Sequence, residues 1–286
     1  MKRELHVLVI DPQNDFCDLP ESYLPIDGDS ALSPALPVPG AHADMLRVAR
    51  LIREAGAGLT AVTVTLDTHY RLDIAHPTFW TDGQGGEVAP FTEITAAQVR
   101  AGQYLPRERE HTGRTLAYLD ELESAGRYRL MVWPVHCEIG SWGQQVHADV
   151  QAALEAWEHA TDRRVERVTK GANPWTEHYS AIQAEVPLHE DAATQLNRTL
   201  IAALAASDEV FIVGEAGSHC VRATTEHLAE HFPQDQLSKL VLLTDCMSPV
   251  SGFEAQQQAF LDAMRAKGLR TARAADVLPQ LVANAA

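Results

Sequence analysis

The sequence predicts an α/β protein of three layers, in which a central, mostly parallel sheet lies between two sets of helices in a Rossmann-like arrangement. Two observations carry this. Short apolar runs rich in Val and Leu recur along the chain, and each ends in a polar or Gly-containing turn. Between them lie longer segments whose apolar residues recur at helical spacing. Alternating units of this kind imply parallel strands joined by crossover helices. Apolar runs without polar alternation suit strands buried on both faces.

Taken in order, strands are expected at "LHVLVID" (5–11), "GLTAVTVTLD" (58–67), "YRLMVW" (128–133), "VERVTK" (165–170), "EVFIVG" (209–214) and "KLVLLTD" (239–245). "LRTARA" (269–274) reads as a last edge strand. Helices are expected over 41–55, 143–157, 191–207, 220–232 and 253–268. Two stretches read as insertions. Residues 18–40 are rich in Pro, Gly and Ser and read as a loop. Residues 81–127 are polar, separate two strands, and carry a helical pattern near 113–125. There is no repeat and no low-complexity tract. The expectation is one domain over residues 1–286 with an elaborated rim.

Composition narrows the partners. The chain has 286 residues, 45% of them hydrophobic, which is enough for a sizeable core. Its 23 basic and 39 acidic residues give a formal net charge of −16. Nucleic acid and anionic membrane both need basic patches, so neither is an expected partner. The opening "MKRELHVLVID" has no small-residue cleavage site and turns at once into a strand. No apolar run reaches membrane-span length. Cys17, Cys137, Cys220 and Cys246 form no C-x-x-C pair. The expectation is a cytoplasmic protein with reduced thiols.

In folds of this class ligands bind beyond the carboxyl ends of the strands. Asp11, Asp67, Lys170 and Cys220 all fall at or just after those ends. In "GEAGSHCVRATTEHLAEH", Cys220 stands where a strand gives way to a helix. Most free cysteines are simply small buried apolar residues. A thiol at a helix N-terminus, however, sees unpaired N–H groups and the positive end of the dipole, both of which favour thiolate. The same N–H groups could hold an oxyanion. His219 is adjacent in sequence, and adjacent helical residues do not face one another, so it is not the expected base. Alone, Asp11 in "VIDPQNDFCD" would be a turn or cap residue. Lys170 in "VTKGANPW" would be a solvated side chain. Together the three offer a base, a cation and a nucleophile, a set suited to acyl transfer.

A second constellation lies in "DTHYRLDIAHPTFW" and "WPVHC". Asp67 and His69 are two apart, so in an extended segment they point the same way. His136 follows another strand. One carboxylate and two imidazoles with open positions suit a divalent transition metal. His76 is a candidate extra ligand. The bland alternative is surface histidines, since the chain has 13 of them.

These motifs, in this order, resemble the isochorismatase-like cysteine hydrolases, and within them the nicotinamidase/pyrazinamidase branch. "VIDPQNDF" resembles the first-strand motif, and "LPVPGA" the segment before the first helix. "DTH" and "WPVHCEIGSWG" resemble the metal-site motifs. "KGANPWTEHYSA" resembles the lysine loop, and "VGEAGSHCV" the nucleophile turn. The match runs from about residue 5 to 270. It implies an isochorismatase-like hydrolase fold, with Cys220 as nucleophile, Asp11 as general base and Lys170 as the cation that orients Asp11 and favours thiolate. It implies an oxyanion hole from the Ala216 and Cys220 N–H groups and a cis peptide at Glu215–Ala216. Asp67, His69 and His136 would bind one divalent ion (zinc, iron or manganese). Phe16, Trp133 and Tyr179 would line a ring pocket. The implied partner is a small amide, and the implied assembly a homo-oligomer. Two features depart from the pattern. The segment between His76 and Trp133 is longer than in compact members, and "HPTFW" replaces the usual serine–phenylalanine continuation.

The leading expectation is therefore an amidohydrolase acting on nicotinamide or a similar carboxamide. Its nearest rival is a hydrolase of another small amide or carbamoyl compound, or an isochorismatase-type enzyme. The metal set disfavours the last, because that branch looks metal-independent. From other classes come a silent binding protein on the same scaffold, disfavoured by the intact Asp11, Lys170 and Cys220, and a redox sensor using Cys137 and Cys220, which lacks a C-x-x-C motif.

Overall fold

The structure, a computed structural model, describes residues 2–28 and 30–285. Six parallel strands form the central sheet: β1 (Leu5–Ile10), β2 (Ala61–Asp67), β3 (Glu166–Lys170), β4 (Glu209–Gly214), β5 (Leu240–Leu243) and β6 (Arg270–Ala272). Their spatial order is β6-β5-β4-β1-β2-β3. β1 and β4 are buried at every position, as strands covered on both faces must be. The one polar side chain within β1, His6, is satisfied by Thr63 Oγ1 at 2.8 Å.

Among the described residues eight helices accompany the sheet: α1 (Ala41–Ala55), α2 (Ala96–Arg100), α3 (Thr112–Ala125), α4 (Ala148–Thr161), α5 (Arg198–Ala205), α6 (Cys220–His231), α7 (Glu254–Ala266) and α8 (Ala274–Ala283). α1 packs against both α4 and α8 on one face. The chain runs from β1 to β2 in one direction and from β4 to β5 in the other. Right-handed crossovers therefore put α6 and α7 on the opposite face. That reversal makes a crevice at the carboxyl ends of β1 and β4, where open α/β sheets bind ligands. The expected three-layer α/β class is the observed one.

Several element expectations are corrected. The strand expected at 128–133 does not join the central sheet. Leu130–Val132 pairs antiparallel with Thr92–Ile94 instead. The helix expected over 143–157 begins only at Ala148, capped by the His147 side chain. That expected over 191–207 shrinks to Arg198–Ala205, where Asn197 caps it. α8 was not expected at all. The 81–127 segment is less polar than its sequence suggests. Trp80, Ile94, Leu119 and Leu130 form a hydrophobic cluster separate from the main core, and the expected helix is there as α3. Among the described residues no helix is long and apolar enough to cross a membrane.

Candidate active site

Backbone register assembles the site. β1 and β4 pair so that Ile10 lies beside Gly214, which brings the residues that follow, Asp11 and the Cys220 turn, to one crevice. Gly214 has φ 122°, and a Cβ there would strike the Ile10 backbone, so only glycine permits this approach. On the other side β2 and β3 pair with Asp67 directly beside Lys170.

Lys170 is the hub. Its Nζ lies 2.8 Å from Asp11 Oδ2, 2.9 Å from Asp67 Oδ1 and 3.7 Å from Cys220 Sγ. Far from being a solvated side chain, it is buried. Asp11 has φ 44° and receives the Thr65 hydroxyl at 2.6 Å on Oδ1, which fixes its carboxylate. Burial would pull the Lys170 ammonium down, but Asp11 and Asp67 hold it well above its usual range. Burial pushes the Asp11 carboxyl up against the pull of Lys170. The thiol departs from expectation. Burial pushes Cys220 well above the usual thiol range, and Asp11 and Asp67 add to this, outweighing Lys170. Burial and the two carboxylates thus oppose the helix terminus and Lys170, both of which favour thiolate. Lys170 Nζ bridges the Asp11 carboxylate and the thiol, which puts Asp11 beside Cys220.

The peptide Glu215–Ala216 is cis, and α6 starts at Cys220. Neither Ala216 N–H nor Cys220 N–H donates to a protein acceptor among the described residues. Both are free to receive a developing oxyanion.

Asp67 also faces the histidines. Its Oδ2 lies 3.1 Å from His69 Nε2 and 3.3 Å from His136 Nε2. Donors that each bind a tetrahedral metal at about 2.0–2.1 Å lie about 3.4 Å apart, so this spacing suits a coordination sphere. The other ring nitrogens are held outside: His69 Nδ1 by Asp73 Oδ2 at 3.0 Å and His136 Nδ1 by Pro134 O at 2.8 Å. That leaves both Nε2 atoms turned toward Asp67. His76 completes a group with His69 and His136 whose candidate ligand atoms lie within 4.8 Å of one another. Its ring is buried and pushed down to about 2, so it is neutral, and its Nδ1 has no partner. A buried nitrogen without a partner is a demand that an ion or its water would meet. The donor set fits a divalent metal.

Cys220, Asp67 and His136 line one cavity. Phe16, Trp133 and Tyr179 form its aromatic walls, with the Trp133 indole N–H donating to the Tyr179 hydroxyl at 2.9 Å. The structure thus brings together every residue singled out from the sequence. Sequence reasoning missed several others. Gln13 clamps the Asp67 backbone, accepting its N–H and donating to its C=O, each at 2.7 Å. Asp15 joins the Ala35 N–H of the 18–40 loop to the Cys137 N–H beside His136. Glu177, His219, Leu36 and Val250 also line the cavity. Asp73 had a readable signal, since it stands four residues after His69.

Comparison with known proteins agrees with the motifs. No family model matches the chain. A curated nicotinamidase of Saccharomyces cerevisiae is 25% identical over 224 residues, covering 78% of this chain and 81% of the relative. The yeast nicotinamidase bound to the inhibitor nicotinaldehyde superposes with a TM-score of 0.64 at 20% identity, over 94% of this chain and 99% of that one. The pyrazinamidase of Pyrococcus horikoshii in complex with zinc gives 0.55 at 19% identity, over 94% and 99%. The fold is therefore that of the isochorismatase-like nicotinamidases, as the motif order implied.

Proposed function

We propose that this protein is a metal-assisted cysteine amidohydrolase that releases ammonia from nicotinamide or a similarly small carboxamide. One observation carries the reading. Asp11, Lys170 and Cys220 meet within hydrogen-bonding reach on the wall of the cavity that Asp67 and His136 also line. The similarity to nicotinamidases in sequence and fold supports it.

In the proposed reaction Asp11 takes the thiol proton and Cys220 Sγ attacks the amide carbon. The resulting oxyanion sits on the Ala216 and Cys220 N–H groups. As it collapses, the C–N bond breaks, Asp11 returns its proton to the leaving nitrogen, and ammonia departs from a thioester. Asp11 then deprotonates a water that attacks the thioester carbon. The acid is released and Sγ recovers a proton. Lys170 holds Asp11 in line with Sγ throughout. Phe16, Trp133 and Tyr179 hold the ring, so that the carbonyl meets the thiol in an attack geometry. Asp67, His69 and His136 would hold one divalent ion, zinc, iron or manganese, with His76 in reach. When bound, the ion supplies a Lewis-acid site for a ring nitrogen and so orients the substrate. The zinc in the archaeal pyrazinamidase supports this assignment. A homo-oligomer, the assembly suggested by the resemblance, is tested by sedimentation velocity.

The test is ammonia release from nicotinamide, pyrazinamide and benzamide, with and without metal. The first two should be substrates of the metal-loaded enzyme. Benzamide, lacking the ring nitrogen, should be poor, and chelation should remove the preference. Equal turnover of benzamide and nicotinamide would favour the second reading, a hydrolase of another small amide or carbamoyl compound. The segment between His76 and Trp133, which packs around a hydrophobic cluster of its own, is the feature that favours it.

A further inference from the structure

Beyond the reaction cavity lies a groove that shares Tyr179 and His219 with it as a common wall. In a chain of net charge −16, three arginines converge on this groove: Arg127, Arg129 and Arg222. Arg222 stands two residues after Cys220, in the first turn of α6. The guanidinium groups of Arg127 and Arg222 stand over the Tyr128 ring, 5.9 Å and 5.4 Å from its centroid. Met131 and Phe253 add apolar surface.

The guanidinium donors are only partly used. Glu226 takes one N–H from Arg127 at 3.1 Å and one from Arg222 at 2.9 Å. Glu93 takes one from Arg129 at 2.8 Å. Glu123 also lies near Arg129, but each guanidinium has five donors and gives only one of them to Glu226 or Glu93. Here an aromatic ring, apolar walls and spare guanidinium donors meet beside a cavity of proposed amidase chemistry. Arginine forks in such surroundings recognise planar anions.

We infer that this groove is an outer subsite for a small carboxylate, held by Arg127, Arg129 and Arg222 against Tyr128 and Phe253. Two sources have this chemistry. One is the acid released by the amidase reaction as it leaves the cavity, which rests on the proposed function. The other is a carboxylate arm on a longer amide whose carboxamide lies at Cys220.

The experiment uses full-length Cys220→Ala protein, which binds without turnover, and calorimetric titration with nicotinamide, nicotinate and 3-carbamoylphenylacetate. Into it are introduced Arg222→Gln, Arg222→Lys and Arg129→Gln. The Arg129 side chain is 65% exposed, so its replacement leaves the fold intact. Nicotinamide affinity should stay within about twofold, and acid affinity should fall about tenfold for each lost charge-assisted contact. Arg222→Lys should recover part of the loss, and added salt should weaken the acids alone. A loss confined to nicotinate assigns the released acid, and one confined to 3-carbamoylphenylacetate assigns a substrate arm. Either result, or both, supports the subsite. Acids that bind the arginine variants as well as the parent, or that bind neither, overturn it. Failure of the amidase reading shows separately, as no ammonia from nicotinamide with the wild-type protein.

Discussion

The main core fills both faces of the central sheet, from Leu5 in β1 to Leu281 in α8, whereas a second cluster of Ile74, Trp80, Ile94, Leu119 and Leu130 sits in the segment between the histidine motifs. The first core fixes strand register, and register is what sets Asp11, Lys170 and Cys220 in contact. The second supports the loop that carries Asp73 and His76, and the Tyr118 hydroxyl that holds the Glu177 N–H at 3.1 Å. Chemistry is thus placed by the sheet, and the far wall of the cavity by the added segment. Damage to the two cores should separate the same way.

The largest expected effects lie at the sheet ends. Cys220→Ala should fold and lose turnover by roughly four orders of magnitude or more, because groups acting as one unit fail together. Cys246→Ala should stay active, since Cys246 is fully buried and lines no part of the cavity. Replacing Asp11 together with Cys220 should cost little more than Cys220 alone, and multiplicative losses would break the idea of a unit. Lys170→Ala should also destabilise the fold by about 3–5 kcal/mol, because it leaves two buried carboxylates without their cation. Urea unfolding measures that loss.

Next come the cores themselves. Phe211→Ala in β4 and Trp80→Ala in the second cluster each remove a fully buried aromatic side chain and should each cost about 3–5 kcal/mol. The consequences should differ. Phe211→Ala should lower the melting temperature of the whole chain. Trp80→Ala should raise KM with little change in kcat, and speed hydrogen exchange mainly within 74–132. Faster exchange across the central sheet in Trp80→Ala would show the two regions to be one cooperative unit.

The smallest effect concerns pH. Burial pushes His6, beneath the sheet, down to about 4. Its folded value lies below its unfolded one, so the unfolded chain binds more protons between them. Stability should therefore be complete above about pH 6.5 and fall as the pH drops toward 4. His6→Gln should flatten that slope by up to about 3 kcal/mol in acid. An unchanged slope would assign it to other buried histidines, such as His147, also near 4.

Much of this was legible because apolar runs stop where chemistry begins. β1 ends at Ile10 and β4 at Gly214, so Asp11 and Cys220 could be read as strand-end residues. The Lys170–Asp67 contact was not legible, because it depends on which strands are neighbours and in what register. The run at 128–133 misled for the same reason: a short apolar segment does not say which sheet it joins. Cys220 misled in another way. Its place at a helix N-terminus was visible, but its burial beside two carboxylates, which opposes ionisation, was not. α8 escaped notice because Pro279 interrupts its pattern. Gln13 and Asp15 were visible in "DPQND", yet their work is with distant backbone groups that only the fold brings near.

The central claim is that an amide is cleaved through a thioester on Cys220. Intact-protein and peptide mass spectrometry, on samples quenched in acid during nicotinamide turnover, tests it most directly. The account predicts an acyl adduct on the peptide carrying Cys220, formed with ammonia release and absent from Cys220→Ala, which should release none. Wild-type rates of ammonia release from Cys220→Ala, or an adduct on another residue, would contradict it.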